Sequence, residues 1–480
     1  MSPASTPQIA IIGAGITGLT LAAGLQARGI PYTVYERAAR NHHQRPGTAA
    51  VAAAHTGGGG AGIGLSPNAE RAMGLLSPAV AEAYEQVANP NGEDYFQWVD
   101  GVRSPEVYFR LFVGEGMFRG CRRADLLEGV LRGLPEGRVV FGKALREVRG
   151  REDGGGRDGV RLVFEDGTEE VADAVIGCDG IHSRLRTLLF GPESKATYSQ
   201  KYSFRALIPM DQARSSLPAR LIHLTTTRYM YNGPGAHIIT YPIANNTLLN
   251  TLVVVSDPNP VWTPPVDSRN PHVGKVAVAD EVGAAFEGWH PDVRAIVGLL
   301  PRGGMDKWAI FDMVENPVPR YHGGGSGGDS SETSDVGGGA AGKVTCLAGD
   351  AAHACGPHLG AGAGFGIEDA YLLAELLQAA VVVVKDVSGS ESEGDKKPGG
   401  TVGARLAAAF EVYSDMRYDR TQWLVKHTRD AVDLFQWKDR ELSRSADGFG
   451  REITWRFHKI WHYDIEKMVE EAKQKMEARR

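Results

Sequence analysis

The chain has 480 residues, of which 42% are apolar and 23% charged, and its net charge is −6. This balance argues against a disordered polypeptide and against a nucleic-acid binder with a dominant basic face. Four cysteines (Cys121, Cys178, Cys346, Cys355), with no CxxC pair, argue against a disulfide framework and a structural zinc site.

In chain order, Ile9–Ile12 reads as a short apolar strand, Ile16–Arg28 as a helix and Tyr32–Glu36 as a second strand. Strands are expected at Arg138–Phe141, Arg161–Glu165 and Ala174–Gly177. Residues 200–256 are strand-rich, with β-branched and aromatic runs at Ser203–Ile208, His237–Tyr241 and Thr247–Val255. Val344–Ala348 reads as a buried strand and Ile367–Val384 as a helix. Residues 402–437 form a long helical stretch, with Leu406, Phe410, Tyr413, Trp423, Leu424 and His427 at helical spacing. The tail 451–476 reads as helical, with Trp455, His458, Trp461 and His462 expected on a docking face. Glycine is abundant, 61 residues, and concentrates in four patches at 57–62, 154–159, 323–342 and 388–400. The last two mix Gly with Ser and charged residues, so they are expected to be disordered insertions.

Neither long apolar run suits a membrane. Ile9–Ala27 contains four glycines and no Lys or Arg precedes it. Tyr371–Val384 is too short, and carries Glu375 and Gln378. The expectation is a cytoplasmic protein with no membrane span and no nucleic-acid partner.

Gly13-Ala-Gly15-Ile-Thr-Gly18 fits G-x-G-x-x-G, but so do segments starting at Gly57, Gly154, Gly323 and Gly337. Only the first lies between an apolar strand and a helix, with an acid, Glu36, 18 residues after Gly18 at the end of the next strand. Its first glycine makes the tight turn, the second admits a pyrophosphate and the third lets helix and strand pack closely. The helix N-terminus then faces the phosphates. A carboxylate at Glu36 accepts from ribose hydroxyls and repels a 2′-phosphate, so the motif suits FAD or NAD.

Two later segments decide between them. Asp173-Ala-Val-Ile-Gly-Cys-Asp179-Gly180-Ile-His-Ser183-Arg184-Leu-Arg186 is a strand, an Asp-Gly turn and a basic helix start. Cys346-Leu-Ala-Gly349-Asp350-Ala-Ala-His353 is a strand ending in Gly-Asp, followed by Pro357-His-Leu-Gly360-Ala-Gly362-Ala-Gly364. With the N-terminal fingerprint, these resemble the three marks of the FAD-dependent aromatic hydroxylases, over about residues 8–437. Gly60-Ala-Gly-Ile-Gly-Leu-Ser-Pro-Asn68, Arg123-Ala-Asp-Leu126, Phe204-Arg205-Ala-Leu-Ile-Pro-Met210 and His237-Ile-Ile-Thr-Tyr241-Pro242 resemble the salicylate hydroxylase-like branch, which includes fungal enzymes that oxidise phenolic polyketides.

The resemblance implies an α/β fold like that of para-hydroxybenzoate hydroxylase. A Rossmann-type FAD domain (residues 1–200 and 343–387) would be interleaved with a β-sheet substrate domain (201–320) and followed by C-terminal helices (401–480), with insertions at 321–342 and 388–400. It implies that Gly13, Gly15 and Gly18 carry the FAD pyrophosphate and Glu36 the adenosine ribose. Gly62 and Arg123 would line the cleft, Asp179 would serve FAD and the pyridine nucleotide, and Asp350 the ribityl and pyrophosphate region. Ala363 would lie against the isoalloxazine. NAD(P)H, with NADPH favoured, would dock transiently, in keeping with a single credible fingerprint. O2 and a phenolic substrate complete the set, in a monomer or homodimer. The implied oxygen donor is a C4a-hydroperoxyflavin, and Arg205 and Tyr241 are the expected catalytic pair, holding the substrate as a phenolate. The alternatives are a flavin epoxidase of an isoprenoid alkene and a non-catalytic flavin-binding protein. No metal site is expected, and His353 is read as structural.

Overall fold

The computed structural model describes residues 6–39, 62–151, 159–263, 273–276, 278–301, 305–323, 340–386 and 401–479. Most of the expected insertions fall outside these residues. The edges of one do not: Tyr321 is fully buried, with its N–H donating to Ser414 Oγ at 3.0 Å, and Ala340–Lys343 is a short helix. A boundary at residue 321 is therefore too early, because Tyr321 belongs to the core.

Five parallel strands form the first sheet in the order Thr345–Leu347, Ala174–Gly177, Ile9–Ile12, Tyr32–Glu36, Val139–Phe141. Ile9–Ile12 and Ala174–Gly177 are buried along their whole length, which is why they read as unbroken apolar runs. The helices Ile16–Ala27 and Gly362–Asp386 belong to the same core.

An eight-stranded sheet forms the second layer. Its order is Val273–Val276, Met305–Asp312, Thr197–Pro209, Leu248–Ser256, Ala236–Ile243, Tyr229–Gly233, Tyr95–Asp100, Val107–Phe112. The last two strands come from the N-terminal part of the chain, so a division at residue 200 does not follow the sheet. Strand period places alternate residues on opposite faces. One face carries Phe204, Ala206, Tyr229, Tyr231, Ile238, Val253 and Val255. These close a core with Val282, Phe286, Trp289 and Val293. Registers Arg205↔Leu252↔Ile239↔Met230 and Asn250↔Tyr241 put Arg205, Asn250 and Tyr241 together on the other face.

The long helix Val402–Phe435 joins the two layers. Its inward stripe is only partly apolar. Arg417 lies between Glu368 (Nη1–Oε2 2.7 Å) and Asp369 (Nε–Oδ1 2.7 Å), and Arg420 holds both oxygens of Glu368. Asn68 Nδ2 also donates to Glu368, at 2.7 Å. Asp369 Oδ2 accepts from Gly349 N–H at 2.9 Å and meets His353 Nε2 at 2.6 Å. His353 is thus a strut under the Gly349-Asp350 turn, consistent with its structural reading. Burial alone would raise the Glu368 carboxyl, but the Arg420 and Arg417 charges hold it down to about 2. A folded-state pKa below the ordinary value adds stability that is present above about pH 4.3 and is lost as pH falls towards that folded pKa. Glu368→Gln should therefore unfold at lower urea concentration at neutral pH, by about 3–5 kcal/mol for an orphaned buried charge, and the deficit should shrink on acidification. A pH-independent deficit in urea melts would contradict this.

The tail is two helices, Ala446–Trp461 and Ile465–Ala478, because Asp464 caps the second by accepting from Lys467 N–H at 2.9 Å. The docking face consists of Phe449, Ile453, Phe457, Ile460 and Trp461, all buried. Trp455 and His462 are exposed, so of the four residues expected on that face only Trp461 lies in its core. Among the described residues, no helix is long and apolar enough to cross a membrane.

Candidate active site

A cleft of about 1080 Å³ opens at the C-terminal ends of the parallel strands. Gly13, Gly15, Glu36, Arg123, Asp179 and Asp350 all line it, together with Lys143, Arg184 and Trp308. Gly13 has φ +104°, and a Cβ there would stand 2.4 Å from the Cys178 carbonyl oxygen. A Cβ on Gly18 would stand 1.9 Å from Gly13 O, so Gly18 supports the turn from beneath and does not line the cleft. Gly15 caps the helix Ile16–Ala27, and the nearest atom to a Cβ there is Arg123 Nη2 at 3.9 Å. The space in front of Gly15 is therefore open, at a helix N-terminus whose dipole favours an anion. Glu36 already accepts from Ala14 N–H at 2.7 Å and Ala38 N–H at 2.8 Å, which fixes its carboxylate at the cleft edge.

Arg123 and Asp350 are both open to the cleft and attract one another across it. Burial lowers the Arg123 guanidinium and raises the Asp350 carboxyl, since protein surrounds both even where water reaches them. Asp179 has a capping role: it accepts from Ser183 Oγ (2.6 Å), Arg184 N–H (2.7 Å) and Leu185 N–H (3.1 Å), fastening the Asp-Gly turn to the next helix. Arg186 is buried and donates to the carbonyls of Ile181 (2.6 Å) and Ala351 (2.9 Å), clamping the Asp-Gly and Gly-Asp turns together.

The polar face of the large sheet forms the adjoining wall. Arg205 is open to solvent, with its guanidinium 5.6 Å from the centroid of Trp308, which lines the cleft. It has no carboxylate partner among the described residues. Protein surrounds the guanidinium even though water reaches it, and this desolvation lowers its pKa, partly offset by Tyr241 and reinforced by Arg123. Tyr241 is buried, and burial pushes its hydroxyl up to about 12 against the pull of Arg228 and Arg205. Gly62 pairs with Arg122 in a two-stranded ribbon, and its N–H donates to Asn250 Oδ1 at 3.1 Å. It therefore meets the sheet wall and is not among the residues lining the large cleft. Ala363 lies in the first turn of Gly362–Asp386, partly buried against the core.

A model of the NAD(P)-binding Rossmann-like domain matches residues 11–51. The FAD-dependent monooxygenase orf3 of Aspergillus niger is 42% identical, over 98% of this chain and 97% of that protein. The chain belongs to the FAD-dependent monooxygenases. Salicylate hydroxylase asL1 of Sarocladium schorii is 35% identical over 100% of this chain and 92% of that protein. Among solved structures, a salicylate hydroxylase substrate complex superposes with a TM-score of 0.74 at 26% identity, covering 98% of each chain.

The cleft of this monooxygenase fits FAD. Gly15 leaves an opening that any side chain would fill, Arg123 offers a cation with no ion-pair partner within 4 Å among the described residues, and Glu36 stands where a ribose can donate. Sequence reasoning missed Trp308, Asn250 and Arg228. Arg228 was detectable: in Arg228-Tyr-Met-Tyr-Asn it falls at strand period with Met230 and Asn232, opposite the two tyrosines.

Proposed function

We propose that this monooxygenase uses NAD(P)H and O2 to hydroxylate a phenolic or salicylate-like aromatic, with or without dearomatisation, in secondary metabolism. The observation that carries this is Arg205: a solvent-open guanidinium beside Trp308 of the cleft, without a carboxylate partner among the described residues, on the same sheet face as Tyr241. The similarity to the salicylate hydroxylase asL1 and to the salicylate hydroxylase substrate complex supports the substrate class.

A neutral phenol ring is a weak nucleophile and its phenolate a strong one. Arg205 pairs with the phenolate oxygen, and Tyr241, still protonated well above neutral pH, donates to it. Ile239 and Leu252, beside them on the same face, keep water from the ring. Bound FAD supplies the redox chemistry that activates dioxygen. Asp179, Asp350, Arg123 and the glycine turn would hold and orient it. An isoprenoid alkene would give Arg205 no charge to pair with, and a non-catalytic flavin protein would have no use for an open cation beside the cleft.

The test is NAD(P)H oxidation by the purified yellow protein across a panel of phenols and their methyl ethers. Ionisable phenols should stimulate it and the ethers should not. Equal stimulation by ethers or by isoprenoid alkenes would overturn the proposal.

A further inference from the structure

Arg228 is 3% exposed and has no acidic partner among the described residues. Its guanidinium lies 3.8 Å from the Phe118 ring centroid, 4.5 Å from that of Tyr241 and 5.7 Å from that of Phe96. Nη2 donates to the Phe118 carbonyl at 3.0 Å, and Nε has no partner. Phe118 itself has φ +61°, a left-handed conformation rare for a bulky residue, and its ring packs against Gly360 of the loop before Gly362–Asp386. Gly64 makes room for the group, since a Cβ there would stand 2.6 Å from Arg228 Nη1. A small cavity bounded by Phe96, Phe118, His237, His358 and Gly360 opens beside it. An unpaired buried cation is expensive to keep, and three aromatic faces plus one carbonyl offset only part of that cost.

We infer that Arg228 is a positioning residue that acts through Tyr241, its fixed charge beneath the ring making the Tyr241 hydroxyl a stronger donor to the substrate's phenolate oxygen. This rests on the phenolate reading above. The other groups facing the pair are neutral or already assigned: burial pushes the Cys121 thiol up to about 12 and raises the Tyr84 hydroxyl, burial lowers His237 and His358 so that both are neutral, and Arg205 is the direct phenolate partner. Burial brings Arg228 down to about 10, which leaves it charged at neutral pH.

The experiment is a pH titration of 4-nitrophenol bound to the FAD-loaded enzyme, followed by the difference absorbance of the phenolate. Arg228→Gln should raise the bound phenol's pKa by about one unit, a tenfold change in its ionisation ratio. Arg228→Lys, which keeps a charge but draws it back from the ring, should raise it by less. In a Tyr241→Phe background neither substitution should add a further shift, because the route through the hydroxyl is gone. If Arg228→Gln does not fold with FAD, the Lys pair decides in the same way. A bound pKa unmoved by Arg228 substitution while Arg205→Gln moves it would overturn this inference alone, as would an equal shift with and without the Tyr241 hydroxyl. If neither arginine moves it, or the probe does not bind, the phenolate reading fails too.

Discussion

Arg205→Ala is expected to lower kcat/KM for a confirmed phenol by about 2–4 kcal/mol of transition-state stabilisation, the cost of losing one preorganised oxyanion donor. FAD content should not change, because Arg205 stands on the sheet wall and not among the turns of the nucleotide cleft. Lysine should rescue poorly: its point charge lacks the planar fork that holds an oxygen from two nitrogens. Tyr241→Phe should keep fold and flavin but raise the pH at which the bound phenol ionises. Steady-state kinetics across about pH 6–9, bracketing the ordinary histidine pKa so that rates can be compared on both sides of it, check both variants. Parental rates for both would assign the phenolate to other residues.

Gly15→Leu is expected to give folded, colourless protein. The Leu side chain would occupy the open space in front of the helix N-terminus where a pyrophosphate approaches. Gly18→Ala should behave differently. Its Cβ would collide with the Gly13 carbonyl, so the turn itself must shift and stability should fall along with FAD. Flavin absorbance per protein and thermal unfolding separate the two effects. Stoichiometric FAD in Gly15→Leu would contradict the fingerprint.

The nucleotide half of the molecule was readable because its signals are local. A buried strand, three glycines and an acid at fixed spacing specify a turn with few alternatives, and Ile9–Ile12 and Tyr32–Glu36 lie where the pattern puts them. The sheet wall was readable in part. Arg205 and Tyr241 stood out through the resemblance of Phe204–Met210 and His237–Pro242 to family segments. Tyr95–Asp100 and Val107–Phe112 did not, since nothing local says that they join a sheet formed more than 100 residues later. The Glu368–Asp369–Arg417–Arg420 network was missed for another reason. Charges on a helix read as solvated, yet Phe410, Tyr413, Arg417, Arg420 and Leu424 recur at steps of three and four on one buried stripe. That stripe was in the sequence; its arginines were buried because two carboxylates on the facing helix neutralise them. The contact of Gly62 with Asn250 was equally illegible, because the two lie 188 residues apart in sequence.

The most direct test of the account is the fate of labelled dioxygen. The purified enzyme, NADPH, a phenol that stimulates turnover and ¹⁸O₂ should yield a product carrying one ¹⁸O atom by mass spectrometry. NADPH oxidation that releases only hydrogen peroxide for every phenol tested, or product oxygen that comes from water, would contradict it.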